Sequence, residues 1–110
     1  MANVNNALAV LADPVRKTLV EALRAGPLTV GELAAHVTVS RSAVSQHLQV
    51  LKAAELVEDE ADGTRRRYSL QAGTLGELRA YVDALWGDAL ANFAGQIDAP
   101  VPARKKRKRP

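Results

Sequence analysis

The 110 residues suffice for one domain with a modest core, and 47% apolar with 25% charged residues is ordinary for a soluble globular chain. Having no cysteine, the chain excludes a disulfide framework, a thiol nucleophile and a thiolate metal site; no apolar run nears the roughly 18 residues of a membrane span, and the opening MANVNNALAV lacks the basic start of a secretory signal. The net charge of +3 is uneven, because RKKRKR at 104–109 holds six of the 15 Lys and Arg and leaves nine against twelve Asp and Glu elsewhere.

Residues 4–12 form a short first helix. Asp13-Pro14 restarts the chain as N-cap and first helical residue. The helix over 14–25 sets Val15, Leu19 and Leu23 on one stripe, and Gly26-Pro27 stops it. Thr29 and Glu32 have the spacing of a capping box for a helix through about His36. Val37-Thr38-Val39 turns the chain, and Ser40 caps a helix over 41–54 whose Val44, Leu48 and Leu51 face inward. The stretch 28–51, LTVGELAAHVTVSRSAVSQHLQVL, therefore reads as a helix-turn-helix.

Leu56 to Glu60 and Arg65 to Leu70 read as paired strands around an Asp62-Gly63 turn, with Tyr68 and Leu70 inward and Arg67 and Ser69 outward. Thr74, with Glu77 three residues on, caps a last helix to about Phe93. Its Leu75, Leu78, Val82, Leu85 and Ala89 form one stripe, and Tyr81, Trp86, Leu90 and Phe93 form a second beside it. An apolar face this wide exceeds what a terminal helix needs on one small domain, so a symmetry mate is expected to cover part of it, the alternative being that the helix only covers its own core. The expected dimer interface is Leu8, Leu11, Leu78, Tyr81, Val82, Leu85, Trp86, Leu90 and Phe93. The expected fold class is mainly α with a small β-hairpin, a winged helix-turn-helix in the order α-α-α-α-β-β-α. Residues 1–94 would be the DNA-binding and dimerisation domain, and 95–110, with three prolines and the basic run, a disordered tail.

The outward face of helix 41–54 offers Arg41, Ser42, Ser45, Gln46 and Gln49, with Ser40 at its start. Arg can bind guanine O6 and N7 with two prongs, and Gln can do the same to adenine N6 and N7. His47 lies at the edge of that face, placed for a hydrogen bond to a phosphate or to backbone, whereas His36 suits a structural place at a helix C-terminus. Arg65, Arg66 and Arg67 make a basic wing, 61–67, for flanking minor groove or phosphates. Pairing with Glu58, Asp59 and Glu60 competes, and alternation along the strand lets both hold in part, with Arg65 and Arg67 favoured for DNA. The basic tail reads as a tethered polycation, a nuclear import signal, or a segment with no selected role. Nothing resembles an active site: the two histidines fall in the helix-turn-helix, and there is no glycine-rich phosphate loop. A winged helix that serves only as a protein-interaction module is the alternative to sequence-specific DNA binding.

Three segments together, LADPVRKTLVEAL (11–23), ELAAHVTVSRSAVSQHLQVLKAAELV (32–57) and GTRRRYSL (63–70), resemble the ArsR/SmtB family of bacterial winged-helix repressors, in order and spacing over about residues 5–93. The specific part is SxxAVSQHLxxLxxAxLV. The resemblance implies a homodimer that binds a palindromic operator in double-stranded DNA and represses transcription, often of its own operon. It also implies a cytoplasmic, nucleoid-associated bacterial protein, and favours the polycation reading of the tail. An effector, small molecule or protein, would act by favouring a dimer geometry that misaligns the helices. Where metal sensors of the family carry Cys-x-Cys, this chain has Thr29 and Gly31 before Glu32-Leu33, and its last helix has Asp83 and Asp88 but no His. The resemblance is thus to the branch without metal-binding cysteines, and neither metal nor cofactor is expected.

Overall fold

The computed structural model describes residues 3–96. The basic run at 104–109, and the expected tail beyond Gln96, lie outside the described residues. Five α-helices, α1 (Val4–Leu11), α2 (Pro14–Ala22), α3 (Val30–Ala34), α4 (Arg41–Ala53) and α5 (Ala72–Gln96), alternate with strands β1 (Leu28–Thr29), β2 (Val57–Asp62) and β3 (Arg65–Leu70). The strands form one antiparallel sheet in the order β1-β3-β2. This is a winged helix-turn-helix, as the sequence predicts, with one addition to the expected order: β1, which pairs Leu28 with Tyr68 and Thr29 with Arg67.

Local chemistry sets most boundaries. Asp13 caps α2 by accepting from the backbone N–H groups of Val15 (2.8 Å) and Arg16 (3.1 Å). The helix expected over 14–25 is α-helical only to Ala22, and Leu23–Ala25 tighten into a 3₁₀ turn. Thr29 and Glu32 form the full capping box: Thr29 N–H donates to Glu32 Oε1 at 2.9 Å, and Glu32 N–H donates to Thr29 Oγ1 at 3.2 Å. That helix ends at Ala34, short of His36. Thr74 is not the cap expected of it. Helix α5 begins at Ala72, and Leu75 N–H donates to the Gln71 carbonyl (3.2 Å), so Thr74 sits buried inside the first turn. The start comes early because Gln71 N–H is itself tied to the Leu56 carbonyl (3.0 Å), which fixes the exit from β3.

Residues up to Leu78 make one compact unit. Its core joins Leu19 of α2, Leu23 of the 3₁₀ turn, Leu33 of α3, Val44, Leu48 and Leu51 of α4, Leu56, Val57, Tyr68 and Leu78. All three inward residues of α4 are fully buried. Leu78, expected in a dimer interface, is thus a core residue of the protomer, with 9% of its surface exposed; Leu11 packs against the same core, and Leu8 is exposed. The second unit begins at Arg79, and its described part is the remainder of α5.

The hairpin turns one residue later than expected. β2 runs to Asp62, which pairs with Arg65, so the loop is Gly63-Thr64. Gly63 has φ +64°, and Thr64 is not among the residues with positive φ, the pattern of a type II′ turn. The one non-glycine residue with positive φ among the described residues is Glu55 (+62°), just past the end of α4. There Leu56 N–H donates to the Leu51 carbonyl and Glu55 N–H to the Lys52 carbonyl, both at 3.0 Å, a Schellman ending with buried Leu51 and Leu56 as its apolar pair. Left-handed backbone costs an L-residue roughly 1–2 kcal/mol, while glycine loses about 0.5–1 kcal/mol more entropy on ordering. Glu55→Gly should therefore raise the stability by roughly 0.5–1 kcal/mol in a denaturant titration; a lowered midpoint would show that the glutamate is not strained.

Candidate nucleic-acid interface

Helix α4 has one buried side and one open side. With Val44, Leu48 and Leu51 in the core, residues 42, 45, 46 and 49 fall together on the opposite face by their three- and four-residue spacing. Ser42, Gln46 and Gln49 are exposed and Ser45 is half-buried. None of these four takes part in a side-chain hydrogen bond among the described residues. Ser40 is occupied as the N-cap, its Oγ accepting from Ala43 N–H at 3.1 Å. His47 does not share the open face: its ring is half-buried, with Nδ1 3.4 Å from Arg16 Nη1 of α2. Arg16 Nε in turn donates to the Val10 carbonyl of α1 at 2.9 Å. His47 thereby ties α4 to the α1–α2 corner.

Arg41 opens α4 and is exposed, but its guanidinium lies against α3. A Cβ built on Gly31 would meet Arg41 Nη2 at 3.1 Å and Cζ at 3.5 Å. The head group therefore rests close over Gly31, where a larger side chain would make it shift.

The three arginines of β3 have different surroundings. Arg66 Nε donates to Asp59 Oδ2 at 2.6 Å, and Lys52 of α4 reaches Asp59 Oδ1 at 2.9 Å. Only 6% of the Asp59 side chain is exposed, so this is a covered carboxylate held between the C-terminal turn of α4 and the hairpin. Arg67 Nε donates to Asp62 Oδ2 at 2.6 Å, and its Nη1 is 3.9 Å from Glu32. Arg65 is exposed and takes part in none of the salt bridges among the described residues. Of the three, then, Arg65 alone joins no salt bridge among the described residues, although its charge is felt by Glu32. The pairing of Arg66 with Asp59 follows from register, since Asp59 faces Tyr68 and Ala61 faces Arg66 on the same side of the sheet.

These contacts tune the acids. Lys52, and then Arg66, hold the Asp59 carboxyl below the usual range. The Thr29 backbone N–H does the same for Glu32, and the Arg16 backbone N–H for Asp13. The Asp62 hydrogen bond pushes the Arg67 guanidinium up. Among the described residues, no three His, Asp or Glu side chains gather in a way that could hold a metal ion, and no helix is long and apolar enough to cross a membrane.

On the described part of the second unit, Tyr81, Val82, Leu85, Trp86, Leu90 and Phe93 are all exposed, Trp86 to 60%.

Residues 13–59 match the sequence model of the bacterial regulatory protein, arsR family. The chain is 53% identical over 89 residues to the HTH-type transcriptional regulator Rv2034 of Mycobacterium tuberculosis, covering 81% of this chain and 83% of that one. It is 35% identical over 72 residues to the transcriptional repressor SdpR of Bacillus subtilis, covering 66% and 80%. A crystal structure described as “Possible transcriptional regulator for arsenical resistance” superposes with a TM-score of 0.69 at 44% identity, over 84% of this chain and 96% of that one.

The covered position of Asp59 generates a prediction with a definite sign. A carboxyl whose folded value lies below its unfolded one, about 4, stabilises the fold above that pH, and this contribution is lost as the pH falls through the lower folded value. Asp59→Asn should cost roughly 1–3 kcal/mol at neutral pH, and the variant's stability should fall less steeply than the parent's between pH 5 and 2. Parallel stability–pH curves for the two proteins would contradict the ion triad.

Proposed function

Because this chain belongs to the arsR family of bacterial regulatory proteins and is a DNA-binding transcriptional regulator rather than an enzyme, we propose that it works as a homodimeric repressor that reads a two-fold operator with helix α4. The observation that carries this is the division of α4: three core residues fully buried on one side, and Ser42, Gln46 and Gln49 exposed with unengaged side chains on the other. A recognition helix needs that combination of rigid backing and free hydrogen-bonding groups in a major groove. Gln46 and Gln49 would read base edges, with Ser42 and Ser45 contacting bases or phosphates. Ser40, at the helix start, would lie beside a phosphate while still capping. Arg65, at the tip of the hairpin, would touch flanking DNA; Arg66 and Arg67 would chiefly hold the wing in shape, their outer nitrogens adding phosphate contacts. His47 would act by positioning α4 against α2.

The partner copy is argued from α5. Six large apolar side chains exposed along Tyr81–Phe93 are far more than isolated surface residues call for. A two-fold mate presenting the same helix would cover them, as isologous interfaces do. Two α4 helices about 34 Å apart would then enter successive major grooves on one side of the duplex. Occupying the operator would exclude polymerase, and the site of action would be the bacterial cytoplasm.

Two measurements check this. Sedimentation of the pure chain should give twice its 11.8 kDa, and Leu85→Glu with Trp86→Glu should give a folded monomer that no longer retards specific DNA. In mobility shifts against duplexes selected from genomic DNA, Gln46→Ala should lose about 1–3 kcal/mol and relax preference at one base pair of each half-site. A wild-type monomer, or Gln46→Ala with unaltered affinity and preference, would refute the proposal.

A further inference from the structure

Between α3, the first turn of α4 and the hairpin lies an open cleft of about 590 Å³, whose lining includes Gly31, Glu32, Arg41, Thr64, Arg65 and Arg66. Accepting the DNA-binding reading above, we infer that this cleft seats a backbone phosphodiester of the operator, and that Arg41, parked on Gly31, is a phosphate ligand and not a base reader.

The charges in the cleft support this. Arg66 is turned to Asp59, and Glu32 is engaged by the Thr29 backbone and lies near Arg67. Arg41 and Arg65 join no salt bridge among the described residues, and Glu32, which feels the Arg65 charge, is already held by the Thr29 backbone; both arginines line one cavity. Two guanidinium groups around one concavity repel each other, and an oxyanion between them removes that repulsion and offers paired acceptors to their donors. The Thr64 hydroxyl in the same lining adds a neutral donor.

Position argues for DNA as the source of the oxyanion. The cleft lies where the start of α4 meets the wing, so a strand leaving the major groove toward the wing would pass over it. The seat itself fixes Arg41. Its guanidinium lies 3.1 Å from the point a Gly31 Cβ would occupy, so an alanine at 31 would shift it by a few tenths of an ångström and a bulky residue would displace it. Sequence alone placed Arg41 with the base readers, because position 41 adjoins the open face of α4. What redirects it is the missing side chain at a residue ten positions away.

The test uses the full chain, an operator duplex and a non-specific duplex, with affinity measured across a salt series. Arg41→Gln and Arg65→Gln should each weaken both duplexes roughly tenfold, lower the salt slope by about 0.9, and leave the base preference at every operator position unchanged. Gly31→Leu, which alters no charge, should reproduce the Arg41→Gln result. Inorganic phosphate should compete no better than chloride at equal ionic strength. Arg41→Gln that relaxes one base position and leaves the slope and non-specific binding intact would overturn the inference while sparing the repressor reading. So would Gly31→Leu binding like the parent, or inorganic phosphate displacing DNA from the parent but not from Arg41→Gln, since the cleft would then serve a free anion. A parent chain that binds no duplex would end both.

Discussion

Burial of Val44, Leu48 and Leu51 is the constraint on which the rest depends. Successive residues of an α-helix are turned by about 100°, so a stripe at positions i, i+4 and i+7 can face the core in only one rotation of the helix. That rotation decides which side chains are left outside. With Leu19 and Leu33 completing the packing from α2 and α3, α4 cannot roll, and Ser42, Gln46 and Gln49 become a fixed row. The capping contacts at Ser40 and the Schellman ending at Glu55–Leu56 hold the two ends of the same rod.

The wing is joined to that rod electrostatically. Asp59 binds Lys52 of α4 on one side and Arg66 of β3 on the other, in a position largely shielded from water. A charge pair of this kind contributes little as a surface contact but costs much if one partner is removed, because the remaining charge is stranded. Its role is to fix the hairpin's angle relative to α4. The arginines are thereby divided: Arg66 and Arg67 are paired with carboxylates, while Arg41 and Arg65 join no salt bridge among the described residues. A body with more acids than bases can still meet DNA, because Arg41 and Arg65, which join no salt bridge among the described residues, line one cleft and make the positive charge local.

Much of this was legible in the chain. Asp13-Pro14, Thr29 with Glu32, and Ser40 before a 3-4 apolar stripe are local signals, and local bonding decides those boundaries. The strand β1 was not legible: two residues carry no periodicity, and they become a strand only because β3, some forty residues later, lies beside them. Thr74 and Glu77 had the spacing of a cap, yet the helix starts at Ala72 because the Gln71–Leu56 hydrogen bond fixes the chain there. The hairpin slipped for a similar reason: Asp62-Gly63 is a good turn pair, but pairing of Asp62 with Arg65 makes Gly63-Thr64 the loop. In the candidate site, the open face of α4 followed from periodicity. The sorting of the four arginines did not, since it depends on the burial of Asp59 and on empty space above Gly31, both products of tertiary packing.

On the proposed function, the open row of α4 and the wing meet DNA in two symmetric copies. Hydroxyl-radical footprinting on a duplex recovered from genomic selection tests it most directly. The account predicts two protected tracts on one side of the duplex, their centres about one helical turn apart, each flanked by a weaker outer protection from the wing that fades in Arg65→Gln. A single protected tract, or flanking protection indifferent to Arg65, would contradict it.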